Sequence, residues 1–181
     1  MSTPSPTVAP ANGRLGVLTV GLGAVASTLI AGVELAKRGL GAPIGALTQM
    51  DTIRLGKRTD NRNPMIKDFV PLARLEDIVW GAWDPFPDDA YVAATRAGVL
   101  ESGKHLEAIS DTLRDIRPMK AAFERQYVKN IDADNIMGKI SKREMLNAIR
   151  ADINKFRDEK KVDRVVMIWC ASTEIFIEPG P

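Results

Sequence analysis

The amino-acid sequence predicts an open α/β sheet, mostly parallel, with helices on its faces. Two observations predict it. Short apolar runs of strand length alternate with segments of helical period. The first alternation passes through a glycine turn, Gly21-Leu-Gly23-Ala-Val-Ala26, set between a strand candidate and a helix candidate.

Leu15-Gly-Val-Leu-Thr-Val20 is an apolar run ending at that turn, as suits a buried parallel strand. Ala24 to Arg38 reads as a helix, with Leu29, Val33 and Ala36 at helical spacing and Gly39 as its stop. Pro43 to Thr48 is a second strand candidate. Gln49 to Leu75 is loop-like, with Asn61-Arg62-Asn63-Pro64 as turn chemistry.

Asp77 to Ala82 reads as a third strand, broken by Trp83-Asp84-Pro85-Phe86-Pro87. Asp88 is placed to cap a helix running to about Leu100, and further helical patterns cover Gly103 to Leu113 and Met119 to Lys129. Ser141-Lys-Arg-Glu144 is a capping box, behind which Met145, Ile149, Ile153 and Phe156 share one helical face. Arg164 to Trp169 is a fourth strand, and Cys170-Ala-Ser-Thr-Glu174 leaves it. A full dinucleotide-binding sheet has about six strands, so the fold expected is Rossmann-like and incomplete.

Composition narrows the function. The 181 residues are 45% hydrophobic and 27% charged, with a net charge of +2. That is ordinary for a globular domain and too mild to argue for nucleic acid. The single cysteine, Cys170, rules out an internal disulfide framework and fits a reducing cytoplasm. Residues 1–13 are rich in Pro, Ser, Thr and Ala and lack the basic start and apolar core of a secretory signal, so they read as a disordered tail. Leu15 to Val33 is apolar but interrupted by Gly21, Gly23, Ser27 and Thr28, which speaks against a membrane span.

The glycine turn carries the chemistry. Gly21 allows a tight turn, Gly23 lets a pyrophosphate approach the backbone, and Ala26 is small enough for helix and strand to pack closely. Free N–H groups at the helix start favour anionic phosphates. The usual acidic partner lies about 20 residues on, at the end of the second strand. Asp51 and Asp84 are the two candidates, and spacing does not choose between them.

Other residue types point nowhere specific. His105 is the sole histidine and reads as a solvated side chain, which leaves Cys170 without a catalytic base and the chain without a metal-ligand cluster. Arg54, Lys57, Arg58 and Arg62 read as a solvated basic loop. Trp80 and Trp83 read as packing beside the sheet rather than stacking on a base.

Several stretches together resemble the inositol-3-phosphate synthases, specifically a bacterial branch. They are Gly21 to Thr28, Gly45 to Met50, Ile53 to Arg58, Ile66 to Pro71, Trp80-Gly-Ala-Trp-Asp84 and Val165 to Glu174, in the family's order and spanning Arg14 to Glu178. The resemblance implies an NAD-binding domain over residues 14–181 of an enzyme that converts D-glucose 6-phosphate to 1D-myo-inositol 3-phosphate, with no net redox change. It implies a cytoplasmic homotetramer serving inositol and phospholipid synthesis. It assigns Gly21, Gly23, Ala24, Val25 and Ala26 to the pyrophosphate, and Asp84 rather than Asp51 to the adenosine side. It places Cys170, Ala171, Ser172 and Thr173 near the cofactor.

There are departures. Many relatives have Gly-Gly-Asn-Asn-Gly where this chain has Gly23-Ala-Val-Ala-Ser27, and Thr-Ala-Asn-Thr-Glu-Arg where it has Cys170-Ala-Ser-Thr-Glu-Ile175. The family's second α/β region, with its catalytic lysines and sugar-phosphate pocket, has no counterpart in these residues. No catalytic residue is therefore assigned, and this chain alone is expected to turn over no substrate. A different NAD-dependent oxidoreductase sharing only the glycine turn, and a catalytically inactive fragment, are the alternatives.

Overall fold

The computed structural model describes residues 11–125, 128 and 131–171. The elements run β1 (Leu15–Val20), α1 (Ala24–Lys37), two single-turn helices α2 (Leu47–Met50) and α3 (Ile66–Phe69), then β2 (Ile78–Asp84) and α4 (Ala90–Ala97). A π turn (Ser102–Leu106) and a 3-10 turn (Glu107–Ile109) lead into α5 (Ser110–Asp115), followed by β3 (Met119–Lys120), α6 (Lys142–Lys160) and β4 (Arg164–Trp169).

The four strands form one sheet in the order β3-β2-β1-β4. Every pairing is parallel, with Leu15 opposite Ile78 on one side and Arg164 on the other. This is the order of the first four strands of a doubly wound dinucleotide-binding sheet. The chain steps outward from β1 to β2 to β3, then returns past β1 to β4. The direction of winding reverses at β1, so the crevice between the carboxyl ends of β1 and β4 is the topological switch point, where such sheets bind ligands.

Alternation along the strands sorts two cores. On one face Val17, Trp80 and Ala82 pack with Ala26, Ile30, Ala31 and Leu35 of α1, with Ala90 and Ala94 of α4 and with Leu113 of α5. On the other face Leu18 and Trp83 pack with Phe156 of α6 and Val162. Gly16 and Gly81 make the second packing possible. A Cβ on Gly16 would lie 2.6 Å from the Phe156 ring, and one on Gly81 would lie 2.9 Å from it. The aromatic ring therefore packs close against bare backbone. A helix on the opposite face for the last crossover is what the fixed hand of parallel crossovers requires once the winding reverses.

Two buried polar contacts tie the faces down. Glu34 of α1, 5% exposed, accepts from Trp80 Nε1 at 2.8 Å and from Lys37 Nζ at 2.6 Å. Lys37 Nζ also donates to the Ile78 carbonyl at 2.8 Å. On the other face Trp83 Nε1 donates to Asp152 Oδ2 of α6 at 2.9 Å. Both tryptophans thus serve packing, as the sequence suggests. The capping box of α6 also forms, with Ser141 and Glu144 exchanging bonds.

Some expectations fail for physical reasons. Pro43 to Thr48 is a turn leading into α2, not a strand. Pro43 offers no N–H, and Ile44 and Leu47 lie 84% and 65% exposed with no neighbouring strand. Met119 to Lys129 is not helical over its described residues. It opens with the two-residue strand β3, held by Trp83 and Asp84 of β2. The buried face of α1 is Ala26, Ile30, Ala31 and Leu35 rather than the stripe through Leu29, which is 39% exposed. His105 is half buried, and its Nδ1 lies in the interior without a partner rather than in solvent. The expected disordered tail lies largely outside the described residues.

Candidate functional site

The turn after β1 is clamped from both neighbouring strands. Gly21 N donates to the Trp83 carbonyl at 2.8 Å, and Cys170 N donates to the Val20 carbonyl at 2.8 Å. Gly21 sits at φ +96°, where an L side chain is strained, and a Cβ there would meet the backbone N of Ala171 at 3.0 Å. Gly23 differs. It has φ −75°, and a Cβ on it would meet nothing within 4 Å. The chain bends tightly at Gly21 and lies bare at Gly23.

α1 starts at that bare point. Its N-cap is Gly23, with no side-chain cap bond and no acidic residue in its first turn. The first N–H groups of a helix have no partner within it, and the positive end of the macrodipole lies with them. An anion set over Gly23 meets both.

A cavity of about 390 Å³ opens over this point. Gly21, Gly23, Ala24, Asp84, Phe86, Cys170 and Ala171 are among the residues that line it. Its size falls in the range of small-molecule sites. Ala26 is fully buried and shapes the helix–strand contact instead, while Val25 is 66% exposed and its side chain turns away from the core. Ser172 and Thr173 lie outside the described residues.

Asp84 ends β2, the sheet neighbour of β1, and so holds the place of the acid in dinucleotide-binding folds. Both carboxylate oxygens are engaged. Oδ2 accepts from Leu22 N at 2.6 Å and Oδ1 from Phe86 N at 2.9 Å. Asp84 thus pins the glycine turn and borders the cavity together. Asp51 is exposed after α2, its carboxylate accepting from Thr52 N at 2.7 Å. The structure sets Asp84, not Asp51, beside the turn.

Sequence reading missed three residues. Asn135 Nδ2 donates to the carbonyls of Asp84 at 2.9 Å and Met119 at 3.1 Å, holding the ends of β2 and β3 together. Asp88 is not the cap of α4. Asp89 is, accepting from Val92 N at 3.0 Å. Asp88 pairs instead with Arg96 of α4, Nη2 to Oδ2 at 2.8 Å, and both line the cavity. A two-turn offset across a helix start leaves no local signature for such a pair.

Cys170 borders the cavity, and burial pushes its thiol pKa up, so it is a packing residue rather than a ready nucleophile. Arg54, Lys57, Arg58 and Arg62 are exposed, away from this cavity's lining. Among the described residues no group of three or more His, Cys, Asp or Glu is placed to hold a metal ion. Among the same residues no helix is long and apolar enough to cross a membrane.

Comparison with known proteins agrees with this geometry. An NAD-binding family model described as myo-inositol-1-phosphate synthase matches residues 15–181. Inositol-3-phosphate synthase 1 of Bacteroides thetaiotaomicron is 46% identical over 171 residues, covering 94% of this chain and 39% of that one. The inositol-3-phosphate synthase of Trypanosoma brucei brucei is 30% identical over 181 residues, covering 91% and 34%. The crystal structure of inositol-3-phosphate synthase from Caenorhabditis elegans superposes with a TM-score of 0.78 at 27% identity, covering 90% of this chain and 35% of that one. The chain spans about two fifths or less of the length of these relatives. With the family model matching nearly all of a chain that carries this parallel sheet and glycine turn, the chain belongs to the myo-inositol-1-phosphate synthase family, as its NAD-binding portion.

Proposed function

We propose that this chain supplies the cofactor seat of an inositol-3-phosphate synthase acting on D-glucose 6-phosphate. The observation that carries the reading is the open space over Gly23 at the uncapped start of α1, set at the sheet's switch point. When bound there, NAD supplies a hydride acceptor that is regenerated within the reaction. This chain's residues do the holding. The N–H groups at the start of α1 face the pyrophosphate across Gly21, Gly23, Ala24 and Val25, while buried Ala26 lets the helix sit close enough to β1 to present them. Asp84 orients the turn and faces the adenosine ribose. Cys170 and Ala171, just past β4, border the cofactor, and family resemblance alone assigns Ser172 and Thr173 to it.

Residues 14–181 form this domain, and by family resemblance catalysis requires lysines from a further α/β region that these residues do not supply. The assembled enzyme is a cytoplasmic homotetramer serving inositol and phospholipid synthesis. Resemblance supports the assembly and the pathway, and a single cysteine supports the compartment.

Titrating the chain with NAD in a calorimeter tests the seat. Binding is expected, and Gly23→Val is expected to weaken it at least tenfold by filling the space a phosphate needs, with little change in melting temperature. Absence of NAD binding, or a Gly23→Val chain that binds as tightly as the parent, defeats the reading.

A further inference from the structure

The cavity lining carries a charge pair that holding a pyrophosphate does not explain. Arg96 is the one cation that lines the cavity among the described residues. Its Nη2 lies 2.8 Å from Asp88 Oδ2, on the stretch that leads from β2 into α4. Asp84, at the carboxyl end of β2, lines the same cavity with both oxygens already held by backbone N–H groups. In dinucleotide-binding folds an acid at this end receives a free ribose 2′-hydroxyl, whereas an arginine nearby receives a 2′-phosphate. This cavity has both groups, and a second acid occupies the arginine.

We propose that the Asp88–Arg96 pair is a selectivity lock at the adenosine end of the cavity. While Asp88 holds Arg96, the cavity favours a dinucleotide with an unmodified adenosine ribose. Released, Arg96 becomes a receptor for a 2′-phosphate. The inference rests on the dinucleotide reading given above.

The physical case has two parts that act in one direction. The Arg96 side chain is 64% exposed and that of Asp88 is 32% exposed, so the pair is solvated and weakly held. Guanidinium can grip a phosphate with two parallel bonds, and a 2′-phosphate offers it more negative charge than the Asp88 carboxylate does. Removing Asp88 also removes a negative charge that a 2′-phosphate would otherwise face. Asp84 stays pinned, so the pyrophosphate turn is untouched by the change.

The test is calorimetric titration of the parent chain, Asp88→Asn, and Asp88→Asn with Arg96→Gln, each with NAD and with NADP at low salt. The ratio of NADP affinity to NAD affinity is expected to rise roughly fivefold to tenfold in Asp88→Asn. It is expected to fall back when Arg96→Gln is added, and the gain should shrink as salt screens this exposed site. A ratio unmoved by Asp88→Asn overturns the lock, as does a gain that survives Arg96→Gln. Those results with NAD still bound leave the dinucleotide seat standing. Failure of the parent chain to bind NAD removes the seat and the lock together.

Discussion

Replacing Gly21 with alanine probes the bend on which the site is built. Gly21 lies at φ +96°, and an added Cβ would stand 3.0 Å from the Ala171 nitrogen and 3.2 Å from Ala171 Cα and the Cys170 carbonyl carbon. All three are backbone atoms, so no flexible side chain can yield. The left-handed conformation alone costs an L residue roughly 1–2 kcal/mol. Shifting β4 away from the turn adds to this, because Cys170 N is bonded to the Val20 carbonyl at 2.8 Å. A total of about 3 kcal/mol follows, and in a domain of this size that lowers the melting temperature by roughly 6–12 °C. Thermal unfolding followed by near-ultraviolet circular dichroism of the tryptophans reads it. Gly23→Ala is the internal contrast. Its Cβ enters open space at an ordinary φ, so the cost is confined to the poorer helix cap, on the order of 1 kcal/mol or less. A Gly21→Ala melting temperature within about 2 °C of the parent would refute the argument that β4 and the turn are locked together.

Three further outcomes follow from the structure. Phe156→Ala removes the ring that lies on Gly16 and Gly81, and is expected to cost about 3–5 kcal/mol in urea unfolding. Glu144 is held below the ordinary glutamate value of 4.5 by the Ser141 hydroxyl and then by the Ser141 N–H. A lowered carboxyl pKa means that the cap's contribution is present above that value and is lost as pH falls through the folded-state value. In Ser141→Ala, NMR titration should find the Glu144 pKa moved back up, and an unmoved value would refute the cap. Burial raises the Cys170 thiol, so at pH 8 iodoacetamide should modify it more slowly than a free thiol, and NAD should slow it further. Equal rates with and without NAD would place the cofactor elsewhere.

What the sequence made legible was whatever depended on neighbours in the chain. The run from β1 through the glycine turn into α1 needs only its own pattern of apolar residues and glycines, and it stands as read. So does the Ser141–Glu144 box, whose partners are three residues apart. The acid of the site was not fixed by spacing, because its position is set by the sheet. A stretch from Gly39 to Asp77 intervenes between α1 and β2, so the residue beside the turn stands 62 positions from Leu22, far beyond the usual interval. β3 was missed because two residues carry no period, and the ladder to Trp83 and Asp84 makes the strand. Pro43 to Thr48 had the composition of a strand but no partner, which shows that apolar residues specify a strand only where a sheet edge receives them. Asp88 and Arg96 meet only because α4 starts between them.

The fastening of α1 is uneven. Near its carboxyl end, Glu34 and Lys37 lash the helix to Trp80 and Ile78, while its opening turn has no side chain to close it. Amide exchange along this one helix should therefore run as a gradient, fastest at Ala24 and Val25 and slowest near Leu35. A diphosphate arriving at the loose end would act as the missing clasp. The bound ligand would flatten that gradient without moving the far end, so the helix stiffens in place.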